Sequence, residues 1–440
     1  MDTVFALASG RGRAGIAVVR LSGPAAFDAV EKLTDKPLPD VRYAAVREVK
    51  SLDRSFLIDE AMVLLFKGPH SFTGEDVAEI HLHGGPAIVE ALFEQLQSLD
   101  GFRPADPGEF TRRAFEHGRM DLTAAEGIGD LVNAETRAQH QQALRQMRGA
   151  LGEMYSRWRE ELIGSLAHLE ADIDFPDEDL PEGVAGAIRP KIEKLRQEIE
   201  AHLADGGRGE KIREGLDVAI IGAPNVGKSS LLNYLAKRDV AIVSDQAGTT
   251  RDIVEVHLDL GGYPVTIADT AGIRDAEDLV EQEGVRRAVK RAEEADIIIS
   301  MTADGSPNLA ENLDLSAGNY IYYYLKNKVD LTDTGARSDG DREFEVSVKF
   351  DLGVEAFLKK LTEDVVSLLD VSGAPSLTRM RHRQALEECV ASLYRFDTAP
   401  DPELAAEDVR LATRSLGRIT GRVDVEDILD VVFGDFCIGK

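Results

Sequence analysis

The 440-residue chain is poor in cysteine and tryptophan, short of positive charge and free of long apolar runs. Its two cysteines, Cys389 and Cys437, lie far apart and have no zinc-ligand partners at characteristic spacings. They support neither a disulfide framework nor a zinc module, and they point to a cytoplasmic address. No apolar stretch approaches the roughly 20 residues that cross a bilayer, so no membrane association is expected. Residues 1–20 mix apolar side chains with Asp2, Arg11 and Arg13 instead of forming a signal-peptide core, and read as mature folded protein. The 51 Lys and Arg set against 79 Asp and Glu give a formal net charge of −28. That balance opposes unspecific attraction to nucleic acid, which depends on neutralising phosphates, so any RNA contact needs a local basic area or a partner.

The apolar patterning that is present changes character along the chain. Short apolar runs, 15–21 and 61–66, alternate with Gly/Pro punctuation and a helix-like stretch 86–96, which predicts a small α+β domain over residues 1–118. From Leu122 to Ile173, Leu131, Leu144, Met147, Leu151, Met154 and Trp158 recur at threes and fours, predicting long packed helices. An acidic connection holding Pro176 and Pro181 precedes a further amphipathic helix, 188–203, giving a first helical part over 119–213. Gly206, Gly207 and Gly215 read as a hinge. Strand-like runs at 218–221, 265–268, 297–300 and 320–325 then alternate with helical segments, the pattern of a doubly wound α/β domain over 214–371. Helical patterning returns over 372–440. The fold expected is therefore multidomain: an N-terminal α+β domain, an all-α helical domain, and a doubly wound α/β domain inserted in the helical one.

The inserted domain carries the chemistry. Gly222 to Ser229, containing Asn225, Val226, Gly227 and Lys228, follows an apolar strand and runs into a helix that begins near Ser230, the context a P-loop needs. Its glycines let backbone N–H groups wrap phosphate oxygens at a helix N-terminus. Lys228 is expected to reach the β/γ-phosphates, and Ser229 to bind Mg2+. Asp269, Thr270, Ala271 and Gly272 end a second strand and place a carboxylate near the metal and an N–H near the γ-phosphate. Asn327, Lys328 and Asp330 end a third strand, and the aspartate can accept from both N1 and the exocyclic amine of guanine, a donor pair that adenine lacks. Ser347, Val348 and Lys349 occupy the place of a loop closing over the base. Gly248, Thr249, Thr250, Arg251 and Asp252 form a candidate switch whose threonine completes the metal shell. Together these elements read as a GTPase, and the inserted domain as a Ras-like P-loop G domain.

Ile273 stands where Ras-type enzymes carry the glutamine that orients water, and it has no polar atom for that task. Asp275, Glu277, Asp278, Glu281 and Glu283 all offer carboxylates for it, and spacing does not choose among them. No arginine can be assigned as a charge-stabilising finger. A bound cation held by Asn225 and the switch backbone is a candidate replacement.

These elements, together with the terminal Phe436, Cys437, Ile438, Gly439 and Lys440, Gly12 to Gly23, Ser71 to Asp76 and Pro107 to Thr111, make the whole chain resemble the MnmE (TrmE) family of tRNA-modification GTPases. The resemblance implies that an aminomethyl or carboxymethylaminomethyl group is added at C5 of a tRNA wobble uridine. It implies a flavin-containing MnmG partner in a heterotetramer, and 5-formyl- or 5,10-methylene-tetrahydrofolate as carbon source. It also implies homodimerisation and folate binding through the N-terminal domain, with Arg20, Glu79, Arg119 and Lys440 at the folate-contacting positions. The family more often has lysine where Arg119 stands.

In the nucleotide site the resemblance selects Glu281 as the catalytic, water-orienting residue. It assigns Mg2+ to Ser229 and Thr250, and K+ to Asn225, Ser244, Gln246 and Thr249. It extends the nucleotide contacts to Val226, Ser230, Asp245, Ala247, Gly248, Thr270 and Ala271, and implies that K+-dependent pairing of two G domains stimulates hydrolysis.

A ribosome-assembly switch of the Era or EngA type shares the Gly-Thr-Thr-Arg segment and is the alternative. It predicts a basic RNA-binding appendage, whereas the flanks here are acidic and helical. Cys437 is a candidate nucleophile or redox thiol, with simple packing as the competing role. His81 and His83 alternate on a strand-like run, where a structural role is favoured over metal binding. Cys389 reads as core, and the acidic stretch 172–182 as a solvated connection.

Overall fold

The computed structural model describes the chain except residues 1, 35, 175–183, 239, 243–254, 270–289, 309–319, 332–339, 371–374, 424–425 and 435. It divides into two compact units: residues 1–129, 146–185 and 395–440, and residues 130–145 and 186–394.

The first unit begins with a six-stranded sheet made of β1 (Thr3–Leu7), β2 (Ala14–Ser22), β3 (Ala45–Lys50), β4 (Leu57–Phe66), β5 (Val77–Gly84) and β6 (Phe102–Pro104) in the order β3-β4-β5-β2-β1-β6. Only the β1/β6 pair is parallel. Period-two alternation decides what each face holds. On β2, Ala17, Val19 and Leu21 are buried in a core completed by Ala26, Ala29, Val30 and Leu33 of helix Ala26–Leu33 and by Leu92 and Leu96 of helix Pro86–Gln97. Arg20 and Ser22 point to the other face. Fully burying side chains of this size contributes roughly 1.5–3 kcal/mol each.

The helical stretch predicted from Leu122 to Ile173 is three helices, Leu122–Asn133, Arg137–Met147 and Ala150–Asp174, the last break falling at Gly149 with φ +91°. Helix Ala150–Asp174 buries Leu151, Tyr155, Trp158, Leu162, Ser165 and Leu169, a spacing of alternating fours and threes. It packs on helix Pro402–Thr420, where Ala405, Val409, Ala412, Leu416 and Ile419 repeat the same spacing. The two helices run antiparallel, with Arg410 paired to Glu170 toward one end and Gly417 against Arg159 toward the other.

The second unit holds a sheet of β7 (Leu216–Ile221), β8 (Glu255–Leu260), β9 (Tyr263–Asp269), β10 (Ile297–Thr302), β11 (Ile321–Lys326) and β12 (Glu343–Glu345), ordered β12-β11-β10-β7-β9-β8. Every pair is parallel except β8/β9. The expected strands at 218, 265, 297 and 320 are all present. Helix Lys228–Leu235 follows β7, and helix Val354–Leu369 packs Val354, Phe357, Leu361 and Val365 into the same core. Tyr323, fully buried on β11, donates from its hydroxyl to Asp364 Oδ2 at 2.7 Å, and Arg342 Nε donates to the same oxygen at 2.7 Å.

The segment read as a hinge is instead a short helix, Arg208–Glu214, opened by Gly207 at φ +71° and closed by Gly215 at φ +97°. Its Ile212 is buried, and a Cβ on Gly209 would stand 2.0 Å from the Leu377 carbonyl oxygen. The glycines were signals of helix ends, not of a free joint. Cys389 is buried as expected, and burial pushes its thiol up to about 12. Among the described residues no helix is long and apolar enough to cross a membrane.

His202 closes helix Val184–Leu203. Burial lowers its imidazole from 6.5 to about 4; Asp205 opposes this and Arg383 adds to it. The folded state therefore holds the neutral ring while the unfolded chain takes a proton below pH 6.5. The stability this contributes is present above about pH 6.5 and is lost as pH falls toward 4, on the order of 2–3 kcal/mol. Urea unfolding at pH 7 and pH 4.5 should show a smaller acid loss for His202→Gln than for the parent. Equal losses contradict the assignment.

Candidate functional site

The loops after β7, β11 and β12 leave the sheet at the carboxyl ends of its parallel strands, where open α/β sheets place ligands, and β9 ends at the same edge with Asp269. The registers bring them together: Ile220 pairs with Asp269, Thr302 with Lys326, and Lys326 with Glu345.

The loop after β7 turns through backbone conformations that suit glycine. Gly222 has φ +157°, and a Cβ there would lie 2.3 Å from the Met301 carbonyl oxygen. Asn225 is left-handed at φ 63°, and Gly227 at φ +110° caps helix Lys228–Leu235. The loop therefore ends with the amide groups of a helix N-terminus, the element that attracts phosphate. Lys228 is buried, and its Nζ donates to the carbonyls of Gly222 at 2.8 Å and Ala223 at 3.1 Å, which holds the ammonium inside the loop. Ser229 and Ser230 lie in the first helical turn, and Val226 is buried beneath the loop.

Asn327 ties three segments into one frame. Its Nδ2 donates to the Val226 carbonyl at 2.8 Å, its Oδ1 accepts from the Val348 amide at 3.1 Å, and its own amide donates to the Thr302 carbonyl at 2.8 Å. Lys328 is left-handed at φ 65°. Asp330 follows in a 3₁₀ turn, Val329–Leu331, and accepts from Ser347 Oγ at 2.5 Å. Lys349 Nζ stands 5.1 Å from the Phe350 ring centroid. The structure thus joins the first, third and fourth predicted nucleotide elements. Asp269 is the last residue of β9. Ser244, Asp245, Gln246, Ala247, Gly248, Thr249, Thr250, Thr270, Ala271, Gly272, Ile273 and Glu281 lie outside the described residues.

In the first unit Arg20 on β2 faces Glu79 on β5, and its Nε donates to Glu79 Oε1 at 3.0 Å. The guanidinium also stands 5.6 Å from the Phe72 ring centroid and 5.7 Å from that of Phe110. His81 Nε2 lies 3.3 Å from the other Glu79 oxygen, and His83 Nδ1 lies 2.8 Å from Asp59 Oδ1, so each imidazole engages a carboxylate. Ile438 bridges to Pro107, and a Cβ on Gly439, at φ +102°, would lie 2.2 Å from the Leu7 carbonyl oxygen. The tail is thereby seated on β1 one residue from Ala6, the strand partner of Arg20. The Lys440 amide donates to the Cys437 carbonyl at 3.3 Å, and Cys437 is exposed. Arg119 stands at the Gly74 turn, its Cγ 3.5 Å from where a Cβ on Gly74 would be. Phe72 and Phe110 lie inside the 71–76 and 107–111 motifs, and their place around Arg20 appears only in the fold.

A phosphate-cradling loop at a helix N-terminus, locked to an Asn-Lys-x-Asp turn on a parallel sheet, defines a P-loop guanine-nucleotide enzyme. The family model for the MnmE helical domain matches residues 122–437, and that for the GTP-binding protein TrmE N-terminus matches residues 3–119. The chain is 51% identical to the tRNA modification GTPase MnmE of Parvibaculum lavamentivorans and 52% identical to that of Paramagnetospirillum magneticum, over the full length of each. It is 45% identical to a mitochondrial 5-taurinomethyluridine tRNA synthase subunit of Danio rerio, across 100% of this chain and 93% of that one. The chain belongs to the MnmE family of tRNA modification GTPases, and it is a GTP-hydrolysing enzyme.

A Cβ on Gly227 would meet Asn327 Nδ2 at 2.2 Å. Gly227→Ala must therefore break the Asn327 bridge as well as strain the loop, together at least about 1.4 kcal/mol, or roughly tenfold in affinity. Equilibrium titration should show GTP binding weakened by that factor or more with the circular dichroism spectrum unchanged. Undiminished binding contradicts the clamp.

Proposed function

We propose that GTP hydrolysis by this protein drives modification at C5 of the wobble uridine of certain tRNAs. The group added is aminomethyl or carboxymethylaminomethyl, its carbon comes from 5-formyl- or 5,10-methylene-tetrahydrofolate, and a flavin-dependent MnmG partner shares the reaction. The observation that carries this reading is the presence, in one chain, of the P-loop frame and of an Arg20–Glu79 pair beside a seated C-terminal tail.

At the nucleotide, the P-loop amides and Lys228 hold the phosphates, and Asp330 accepts from guanine while Val348 and Lys349 flank the base. The Ser229 and Thr250 hydroxyls and the Asp269 carboxylate are hard oxygen donors that would hold Mg2+. Asn225, Ser244, Gln246 and Thr249 would supply the oxygens for K+. When bound, these cations neutralise the charge that gathers on the transferred phosphoryl group, for which no arginine is assigned. Glu281 accepts a hydrogen bond from the attacking water and aims it in line with the γ-phosphate, the task that Ile273 cannot perform. Cation-dependent pairing of two G domains completes the site.

At the one-carbon site, the Arg20 guanidinium lies between a carboxylate and two aromatic rings, a setting that takes a flat ligand with hydrogen-bonding edges. Arg119 and Lys440 supply positive charge for the ligand's carboxylates. The N-terminal domain pairs two copies of the chain, and two MnmG subunits complete a heterotetramer. With a net charge of −28, tRNA is held by a local basic area or by the partner.

Mass spectrometry of tRNA nucleosides tests the whole reading after reconstitution with the flavin partner, GTP, K+ and the folate. The parent protein should yield modified wobble uridine, and Glu281→Ala should bind GTP normally yet lose hydrolysis by about 10²–10⁴-fold. Unmodified uridine with the parent sinks the proposal, and undiminished hydrolysis in the variant sinks the role of Glu281.

A further inference from the structure

Five charged side chains form a network in the first unit, with Arg113, Glu109 and Glu75 buried at its centre and Arg103 and Asp2 half-exposed at its rim. Arg113 and Glu109 lie one turn apart on helix Glu109–Glu116, and both residues are 8% exposed. Arg113 Nη2 donates to Asp2 Oδ1 at 2.8 Å and to Glu109 Oε1 at 2.9 Å, while Nη1 reaches Glu75 Oε1 and Oε2 at 3.2 and 3.1 Å. Arg103 donates to Glu109 Oε1 and Oε2 at 2.6 and 2.8 Å and to Asp2 Oδ2 at 2.5 Å. Two guanidinium groups thus serve three carboxylates. Burial raises the Glu109 carboxyl, but the Arg103 and Arg113 contacts outweigh it and hold the group below the usual range. A buried ionic network of this kind adds little stability over apolar packing, and what it supplies best is fixed geometry.

That geometry is delivered to one loop. Ser22 Oγ, two residues along β2 from Arg20, donates to Glu75 Oε2 at 2.7 Å and pairs with Thr73 Oγ1 at 2.7 Å. The Glu75 amide donates to Thr73 Oγ1 at 3.2 Å, and Ser71 Oγ donates to the Glu75 carbonyl at 2.5 Å. His117 Nδ1 meets the Thr73 carbonyl at 2.8 Å. Between these anchors sit Phe72, whose ring flanks the Arg20 guanidinium, and Gly74, which has no room for a Cβ against His117 at 2.9 Å beside Arg119.

We infer that Arg113 and Glu75 are positioning residues for the one-carbon site: they fix the loop 71–75 so that Phe72 supports Arg20 and the Gly74 turn meets Arg119. The inference rests on the folate reading above. Neither residue need touch the ligand. Arg113 acts through its fork, which contacts three carboxylates at once, and a lysine at the same place is a single point charge that cannot.

The experiment uses the full-length protein and 5-formyl-tetrahydrofolate as probe, comparing the parent with Arg113→Lys and Ser22→Ala. Ser22→Ala removes the hydroxyl link to Glu75 without leaving a charge unpaired, so it decides the matter if Arg113→Lys does not fold. Arg113→Lys should weaken probe binding by about tenfold or more despite its retained charge, and leave GTP hydrolysis unchanged. Ser22→Ala should shift binding in the same direction. In a Phe72→Trp background, the anisotropy of the new indole should fall on Arg113→Lys, a change that a general loss of stability does not produce in protein that remains folded. If the parent binds the probe and both variants bind it equally well, the positioning role is overturned and the folate reading stands. If the folded parent does not bind the probe, the folate reading falls and this inference with it.

Discussion

One side-chain amide holds the nucleotide site in register. Asn327, 5% exposed, donates to the carbonyl of Val226 in the P-loop and accepts from the amide of Val348 in the loop after β12, while its own backbone is fixed to the end of β10. The phosphate end and the base end of the site are therefore one rigid frame. The amide also occupies the space where a side chain at Gly227 would go, so this packing arrangement requires a glycine there. Breaking a buried bridge of this kind leaves two backbone groups without partners, at a cost of about 1–3 kcal/mol for each.

The first unit follows a different constraint, the two-residue period of a strand. On β2 it sends Val19 and Leu21 into the core and Arg20 and Ser22 to the opposite face, where Glu79, Phe72, Glu75 and the docked tail are found. A one-residue slip would exchange the two sets and destroy core and site together.

The strands of the G domain, its P-loop and its Asn-Lys-x-Asp turn were legible in the sequence because each pairs an apolar run with residue types that few other tasks require. Asn327 was legible as part of a guanine motif but not as a clamp, because residue type does not show which buried backbone groups need a partner. The Arg208–Glu214 helix was hidden between glycines, being too short to display a period. The Arg113 network was invisible for another reason: its partners Glu75 and Asp2 are 38 and 111 residues away along the chain, and no local pattern links them. The resemblance marked Arg20 and Glu79 as separate folate-contacting positions; that they face each other follows from strand register. The switch residues and Glu281 rest on motif and resemblance alone.

In the proposed function this frame reads guanine through the carboxylate of Asp330, which accepts from Ser347. Xanthine carries a carbonyl where guanine carries its exocyclic amine, so replacing the accepting carboxylate with a donating amide should reverse the preference. The direct measurement is competitive titration of GTP and xanthosine triphosphate against the full-length parent and Asp330→Asn. The parent should bind GTP more tightly, and the variant should bind xanthosine triphosphate more tightly. A variant that keeps the parent's preference for GTP would contradict this reading.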